Sequence, residues 1–304
     1  MHRILKRLYD TNCMIRSQIP GSLLLDRLTR RSMRFACLAI LVVCPARVWA
    51  ASTDPDLLTV GYRQMYNLDF DGAHKSFQSW EQMQPDDPLG PASDAAAYLF
   101  SEFDRLHILE SDLFTDNEKF ERRQKPAPDP NIRNAFENEL VKAEQVANQV
   151  LARWPQDSNA LFAKILADGL RGDYLALIEK RNLAGLSSMK TGRTLAERLV
   201  SLDHSYYDAY LAIGIENYLL GVNPAPVRWI LRLTGAETDK ENGLANLRLT
   251  AEKGHYLGPF ARLLLAVAAL RDKDRGTARN ILASLSREFP QNRLYQEELA
   301  RIQP

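Results

Sequence analysis

The segment GYRQMYNLDFDGAHKSFQSWEQMQP, residues 61–85, contains the spacing that determines the predicted fold. Gly61 is followed after 12 residues by Ala73, after 16 by Phe77 and after 24 by Pro85. A small residue in each of two helices lets their axes approach closely, and a bulky residue one turn later fills the groove beside it. A proline cannot continue the second helix. The segment therefore predicts a tightly packed helix pair.

The same intervals recur near the other end of the chain. Ala266 is followed after 12 residues by Ala278, after 16 by Leu282 and after 24 by Pro290. The 12-residue step recurs at two further places, Ala143–Pro155 and Gly192–His204. From Leu57 onward apolar residues return every three to four positions, which is the helical period. Strict alternation is rare, so we predict an all-α chain of antiparallel helix pairs.

This spacing resembles the tetratricopeptide repeat (TPR), a helix–turn–helix unit of 34 residues. The resemblance is close in the two end units and looser between them. It implies an α-α superhelix, a TPR-like solenoid, over residues 51–304, with insertions near 109–131 and 181–192. The first helix of each unit would line a concave groove in which such proteins hold peptide segments. The region 181–192, with two glycines and two serines, is predicted to be a bend.

Three further elements follow from capping and proline signals. A helix beginning at Pro224 and Pro226 is expected to run to about Leu233. A second helix is expected over Glu241–Lys253, where Gly254 would end it. Residues 292–302 mix charged and apolar positions, as expected of a terminal helix with one solvated face.

The first fifty residues are predicted to direct export. Residues 1–32 form a basic extension, predicted to be disordered, and residues 33–50 have the order of a secretory signal. Met33-Arg34 precedes a short apolar run, and a small-residue site precedes Ala51. Met33 is an alternative to Met1 as the start. A lipid on Cys44, or an uncleaved signal, would instead tether the chain to a membrane, facing the periplasm.

Composition excludes several classes of protein. The chain has 304 residues, of which 45% are hydrophobic and 25% are charged, as in folded water-soluble proteins. Residues 1–50 carry nine Lys or Arg against two Asp or Glu, which leaves a net charge of −6 on the remainder. An acidic body argues against nucleic-acid binding. All three cysteines precede Ala51, so the predicted mature chain has no thiol for disulfides, zinc or catalysis.

The sequence contains no credible catalytic motif. The serine-hydrolase elbow, the zinc-protease helix motif, the Walker A loop and the dinucleotide fingerprint are all missing, and we predict no enzyme activity, cofactor or metal. The alternative is an envelope enzyme, or enzyme subunit, with a site in the 93–131 insertion. Its acidic and histidine residues are Glu102, Asp104, His107, Glu110 and Asp112.

Aromatic residues at helical spacing are the candidate partner-binding residues. Tyr62, Met65 and Tyr66 share one face of the first helix, and Asn217 and Tyr218 lie on a later one. Tyrosine suits a peptide groove because its large apolar body ends in a polar group. The alternative is that these side chains pack between helices. The sequence thus predicts an exported periplasmic or secreted scaffold that binds a protein or peptide of unknown identity.

Overall fold

A computed structural model describes residues 56–109, 124–221 and 239–302 of the chain. This part of the chain is all-α and contains no β-strand, as the sequence predicts. The part of the N-terminus predicted as extension and signal, residues 1–50, lies outside the described residues, as does the helix expected from Pro224 to Leu233. Within the described residues, no helix combines the length and the apolar character needed to cross a bilayer.

Eleven α-helices are described, and consecutive helices pack against each other to form a solenoid of antiparallel pairs. The first two pairs are α1 (Leu57–Tyr66) with α2 (Phe70–Met83), and α3 (Leu89–Arg105) with α4 (Pro130–Arg153). The next two are α5 (Ser158–Asp173) with α6 (Asn182–Leu202), and α7 (Tyr210–Gly221) with α8 (Lys240–Lys253). The last pair is α9 (Gly258–Arg271) with α10 (Arg275–Glu288), followed by the terminal helix α11 (Arg293–Arg301).

The predicted small-residue contacts are present in both end pairs. A Cβ atom at Gly61 would lie 2.3 Å from the Phe77 ring, so the absence of a side chain lets α1 and α2 approach. Ala266, Ala278 and Leu282 are likewise buried where α9 packs on α10. The positions singled out by the spacing are therefore buried in both end pairs.

An asparagine or aspartate two positions after the terminal proline starts the next helix. The pattern occurs at Pro85–Asp87, Pro155–Asp157 and Pro290–Asn292. In each case the side chain accepts a hydrogen bond from a backbone N–H in the first turn of the following helix. Such capping satisfies donors that have no partner within the helix. The proline and the cap together set the turn between one pair and the next.

The prediction of a bend over residues 181–192 is wrong. Gly185 and Gly192 lie inside the continuous helix α6, and the irregular stretch comes earlier, where a π-helical turn spans Tyr174–Ile178. A Cβ atom at Gly185 would lie 2.8 Å from the carbonyl oxygen of Gly172. These glycines therefore allow close packing of α6 on α5 instead of breaking the helix.

The insertion near 109–131 is described only at its ends. Residues 110–123 lie outside the described residues, residues 124–129 have no regular structure, and Pro130 begins α4. The helices predicted over 241–253 and 292–302 are confirmed as α8 and α11. On α11, Tyr295 and Glu298 are buried, while most other positions are wholly or partly exposed.

The two ends of the solenoid touch each other. The Tyr66 hydroxyl donates to the carbonyl oxygen of Tyr256 at 2.9 Å, and the Asn292 amide donates to the carbonyl oxygen of Tyr66 at 2.8 Å. Phe100 on α3 meets Phe260 on α9 edge to face, with ring centroids 5.6 Å apart. We call this set the closing contact. It joins the first two pairs to the last one.

Candidate functional site

The predicted aromatic stripe on α1 lies in the interior. Tyr62, Met65 and Tyr66 are each no more than 8% exposed. The Tyr62 ring stacks on Tyr256 at 5.0 Å between centroids and meets Phe77 edge to face at 5.4 Å. Tyr62 thus packs between Phe77 of α2 and Tyr256, and Tyr66 belongs to the closing contact. Their positions agree with the packing alternative, and they form no exposed groove surface.

The second predicted pair, Asn217 and Tyr218, is also buried. A Cβ atom at Gly243 on α8 would lie 2.6 Å from the Tyr218 backbone nitrogen, so α8 covers this face of α7. The Asn217 amide and the Tyr218 hydroxyl have no hydrogen-bond partner among the described residues. As with the stripe on α1, neither side chain is presented to solvent.

Glu102, the first residue of the predicted acidic and histidine site, has a structural role. Its buried carboxylate accepts two hydrogen bonds from the Arg105 guanidinium, each at 2.7 Å. It also accepts the backbone N–H of Asp129 at 2.7 Å. Because Asp129 caps α4, Glu102 connects the end of α3 to the start of α4.

Asp104, the other described acidic residue of that predicted site, pairs with a different partner from Glu102. Asp104 forms an ion pair with Arg293 at 2.8 Å and so connects α3 to the start of α11. His107 lies in the turn after α3 with a φ of 56°. Glu110 and Asp112 lie outside the described residues. Glu102 and Asp104 therefore each connect one helix to another.

A different set of acidic side chains converges between α2, α3 and α4. Carboxylate oxygens of Glu81, Asp94 and Glu139, one residue from each helix, lie within 4.8 Å of one another. Glu81 and Glu139 line a cleft of about 460 Å³, together with Lys142 and other residues of α2 and α4. We call these three carboxylates and the cleft beside them the acidic cleft.

Asp94 does not itself line the cleft and is held by two side chains from α2. Its buried Oδ1 lies 2.5 Å from His74 Nδ1, and its Oδ2 accepts a hydrogen bond from Gln78 Nε2 at 3.3 Å. The His74 ring packs on the Tyr98 ring, with centroids 4.0 Å apart. Since His74, Gln78 and Glu81 follow at helical spacing, one face of α2 supplies all three.

Lys142 is the only lysine or arginine that forms an ion pair with these carboxylates among the described residues. Its Nζ hydrogen-bonds to Glu81 Oε2 and lies 3.8 Å from Glu139 Oε2. Two buried carboxylate oxygens, Glu81 Oε1 and Glu139 Oε2, accept no hydrogen bond from any described residue. Glu139 Oε2 nevertheless has the Lys142 ammonium beside it, and Glu81 pairs with the same ammonium through its other oxygen.

Burial and crowding shift the acidities of the two glutamates. Burial raises the pKa of Glu139 to about 7, and the negative charge of Glu81 acts in the same direction. The pKa of Glu81 is also raised by burial, although its hydrogen bond to Lys142 opposes the shift. A carboxyl group that titrates near neutral pH therefore faces the acidic cleft.

A second, smaller cleft of about 240 Å³ lies beside Tyr206, Tyr207 and Tyr256. Asp208 at its base accepts backbone N–H groups from three successive residues, 255–257, at 2.9 to 3.2 Å. These bonds fix the segment that carries Tyr256 into the closing contact. The polar groups of this second cleft therefore have a structural explanation.

Comparison with known proteins finds no family model and no curated protein that matches this chain. The residues of the acidic cleft were missed in the sequence because they come from three helices and follow no local motif. The one available signal was the helical spacing of His74, Gln78 and Glu81. That spacing is common on solvated helices, so it does not single out a site.

Proposed function

We propose that this chain is an exported, TPR-like scaffold that binds a protein or peptide partner. The proposal is supported by the solenoid of antiparallel pairs and by small residues at matching intervals in its first and last pairs. Solenoids present long surfaces with few constraints on the residues displayed there, which suits adaptor functions. A fold does not determine a function, so the proposal also requires a specific binding surface on this chain.

Trp154, which is 67% exposed at the end of α4, is the observation that carries the proposal. Trp154 and Phe289 both directly precede the terminal proline of a helix pair. Phe289 is only 1% exposed, and its ring packs on Tyr66 at 5.4 Å between centroids. The residue before the terminal proline is therefore packed inside the chain at Phe289 and faces solvent at Trp154.

The backbone around Trp154 is fixed before any partner binds. Its N–H donates to the carbonyl oxygen of Val150 at 2.8 Å, and its own carbonyl oxygen accepts the N–H of Asp157 at 3.0 Å. Arg198 on α6 donates to the Pro155 carbonyl oxygen at 2.5 Å. An exposed tryptophan on an ordered turn loses little entropy on binding, and tryptophan is enriched among residues that dominate binding energy.

Crosslinking from position 154 tests this assignment. A photoreactive residue replaces Trp154, and crosslinked proteins from the native envelope are identified by mass spectrometry. The identified partner is then tested for binding to Trp154→Ala and to the control Leu183→Ala, which removes an 85% exposed apolar side chain from α6. We expect the first variant to lose at least about tenfold in affinity and the control to keep it. Equal affinities would refute the assignment.

Export is tested separately by mass spectrometry of the mature N-terminus. A chain that starts at Ala51 supports cleavage of the signal, and a lipidated Cys44 supports a membrane tether. An intact chain that remains in the cytoplasm would refute export.

A further inference from the structure

We propose that the cleft of about 240 Å³ beside Tyr206, Tyr207 and Tyr256 binds a lysine or arginine side chain of the partner protein. We call it the tyrosine cleft. The inference rests on the proposed function, because it states the chemistry of the partner that the scaffold would bind. The faces of aromatic rings carry partial negative charge and attract ammonium and guanidinium groups that lie within about 6 Å of the ring centroid.

The aromatic walls of the tyrosine cleft are fixed by rings of the interior. Tyr206 packs on the buried Phe162 ring, with centroids 5.1 Å apart. Tyr256 stacks on the buried Tyr62 ring at 5.0 Å. The Tyr206 hydroxyl also donates to Oδ1 of Asn159, which lines the cleft, at 3.3 Å. Both rings remain partly exposed. Walls that are already ordered lose little entropy when a ligand enters.

Lys253 shows that the wall of the cleft accepts a cation. Its Nζ lies 5.0 Å from the centroid of the Tyr207 ring, within the range of a cation–π contact. Lys253 is exposed and forms no ion pair with a carboxylate among the described residues, so no salt bridge accounts for its position. An ammonium on a flexible stem at the surface leaves the ring easily when another cation arrives.

Carboxylates near the cleft favour a cation over an anion. Burial raises the pKa of Tyr206 and of Tyr256, and the negative charges of Asp87 and Asp208 act on both in the same direction. A carboxylate has this effect because it makes the surrounding potential negative, and a negative potential attracts cations. Neither Asp87 nor Asp208 forms an ion pair with a lysine or arginine in the part of the chain that the structure describes.

His255 is the other basic residue that lines the cleft. Its ring meets Tyr256 edge to face at 4.4 Å, and its Nε2 lies 3.5 Å from Asp56 Oδ2. The neighbouring carboxylate therefore offsets a positive charge on this imidazole. The ammonium of Lys253 is then the group that a cation of the partner would displace.

Trp154 and the tyrosine cleft both border the first turn of α5. The Trp154 carbonyl oxygen accepts the N–H of Asp157, whose side chain caps α5. Asn159, two residues later, accepts the hydroxyl of Tyr206. A partner segment with an apolar and a basic side chain close together would therefore reach both Trp154 and the cleft.

Fluorescence polarisation of labelled peptides with the purified full chain tests the proposal. Three peptides share the sequence Gly-Ser-Leu-X-Leu-Ser-Gly, in which X is arginine, citrulline or glutamate. Citrulline has the shape of arginine without its charge, so it separates charge from packing. We expect the arginine peptide to bind at least about tenfold more tightly than the citrulline peptide, and the glutamate peptide to bind most weakly. Equal dissociation constants for the first two peptides, or no binding of either at millimolar concentration, would overturn the proposal.

Variants of the cleft locate the binding site. Tyr207→Leu keeps apolar bulk but removes the aromatic face, so it should lose most of the preference for arginine, whereas Tyr207→Phe should keep it. Lys253→Gln should bind the arginine peptide more tightly than the wild type, because no ammonium competes for the ring. The matched control is Tyr98→Leu, which removes a partly exposed tyrosine that lies near the carboxylates of the acidic cleft.

Circular dichroism first establishes that each variant is folded, and the exposed Lys253→Gln remains a test if Tyr207→Leu does not fold. An unchanged preference in folded Tyr207→Leu would overturn the assignment, as would weaker binding of the arginine peptide by Lys253→Gln. A chain without a preference for arginine that still crosslinks to a partner through position 154 refutes the tyrosine cleft and supports the scaffold. A chain with the preference but without any crosslinked partner supports the cleft and refutes the scaffold.

Discussion

At the residue scale, Glu139 makes stability depend on pH in an unusual direction. Its folded pKa of about 7 lies above its ordinary value of 4.5, because of burial and the neighbouring negative charge of Glu81. Between these values the folded chain keeps a proton that the unfolded chain has released. The free energy of unfolding therefore falls as pH rises from about 4.5 to about 7.

We expect Glu139→Gln to remove this part of the pH dependence. Wild type and variant are compared by thermal unfolding across this pH range in the presence of a chelator, so that no cation contributes. The difference in Tm should shift in favour of the variant as pH rises. The other charged or titratable groups at or beside the cleft, which are His74, Glu81, Asp87, Asp94 and Lys142, are present in both proteins and largely cancel. Parallel pH profiles would contradict the prediction.

At the scale of elements, Gly61 shows how a missing side chain sets the distance between helices. A Cβ atom at Gly61 would lie 2.3 Å from the buried Phe77 ring, which has no space to move. Overpacking of this kind costs about 1–3 kcal/mol. We expect Gly61→Ala to lower the free energy of unfolding, measured by urea denaturation, despite the better helix propensity of alanine.

Gly169 on α5 is the matched control for this prediction. Outside its own stretch of helix, no atom lies within 4 Å of a Cβ atom placed there. Gly169→Ala should therefore raise the free energy of unfolding by about 0.5–1 kcal/mol through helix propensity alone. A gain in both variants would mean that α1 and α2 do not pack as described.

At the scale of the whole molecule, the closing contact joins ends that would otherwise fray. In an open solenoid each terminal pair has one neighbour, so its amide hydrogens exchange readily. Here α1 packs on α2 and also bonds to Tyr256 and Asn292. We expect native-state hydrogen exchange to find α1 as protected as the central helix α5.

A double variant identifies the cause of that protection. Tyr66→Phe with Asn292→Asp removes both donors of the closing contact, keeps most of the apolar packing and keeps the side-chain oxygen that caps α11. Protection of α1 and of residues 254–257 should then fall together, while α5 changes little. If α1 of the wild type already exchanges at least about tenfold faster than α5, the ends are not joined in solution.

The outcome for individual elements shows which features local sequence predicts. Helix α8 was predicted to within a residue, since the helical period and Gly254 both act over one or two turns. The prediction of a bend over 181–192 was wrong because a glycine can either break a helix or let a neighbouring helix approach closely. Only contact with Gly172 on α5 distinguishes them.

Helices and their pairing follow from the order of residues along the chain, because helical period, capping and small-residue spacing all act between near neighbours. The closing contact and the acidic cleft arise only in three dimensions. The hydrogen bonds of the closing contact join residues 190 and 226 positions apart, Tyr66 with Tyr256 and Tyr66 with Asn292. Small rotations between successive helix pairs add up along the chain. Their total decides whether an aromatic stripe is exposed and whether carboxylates from three helices converge. No local sequence pattern predicts this accumulated rotation.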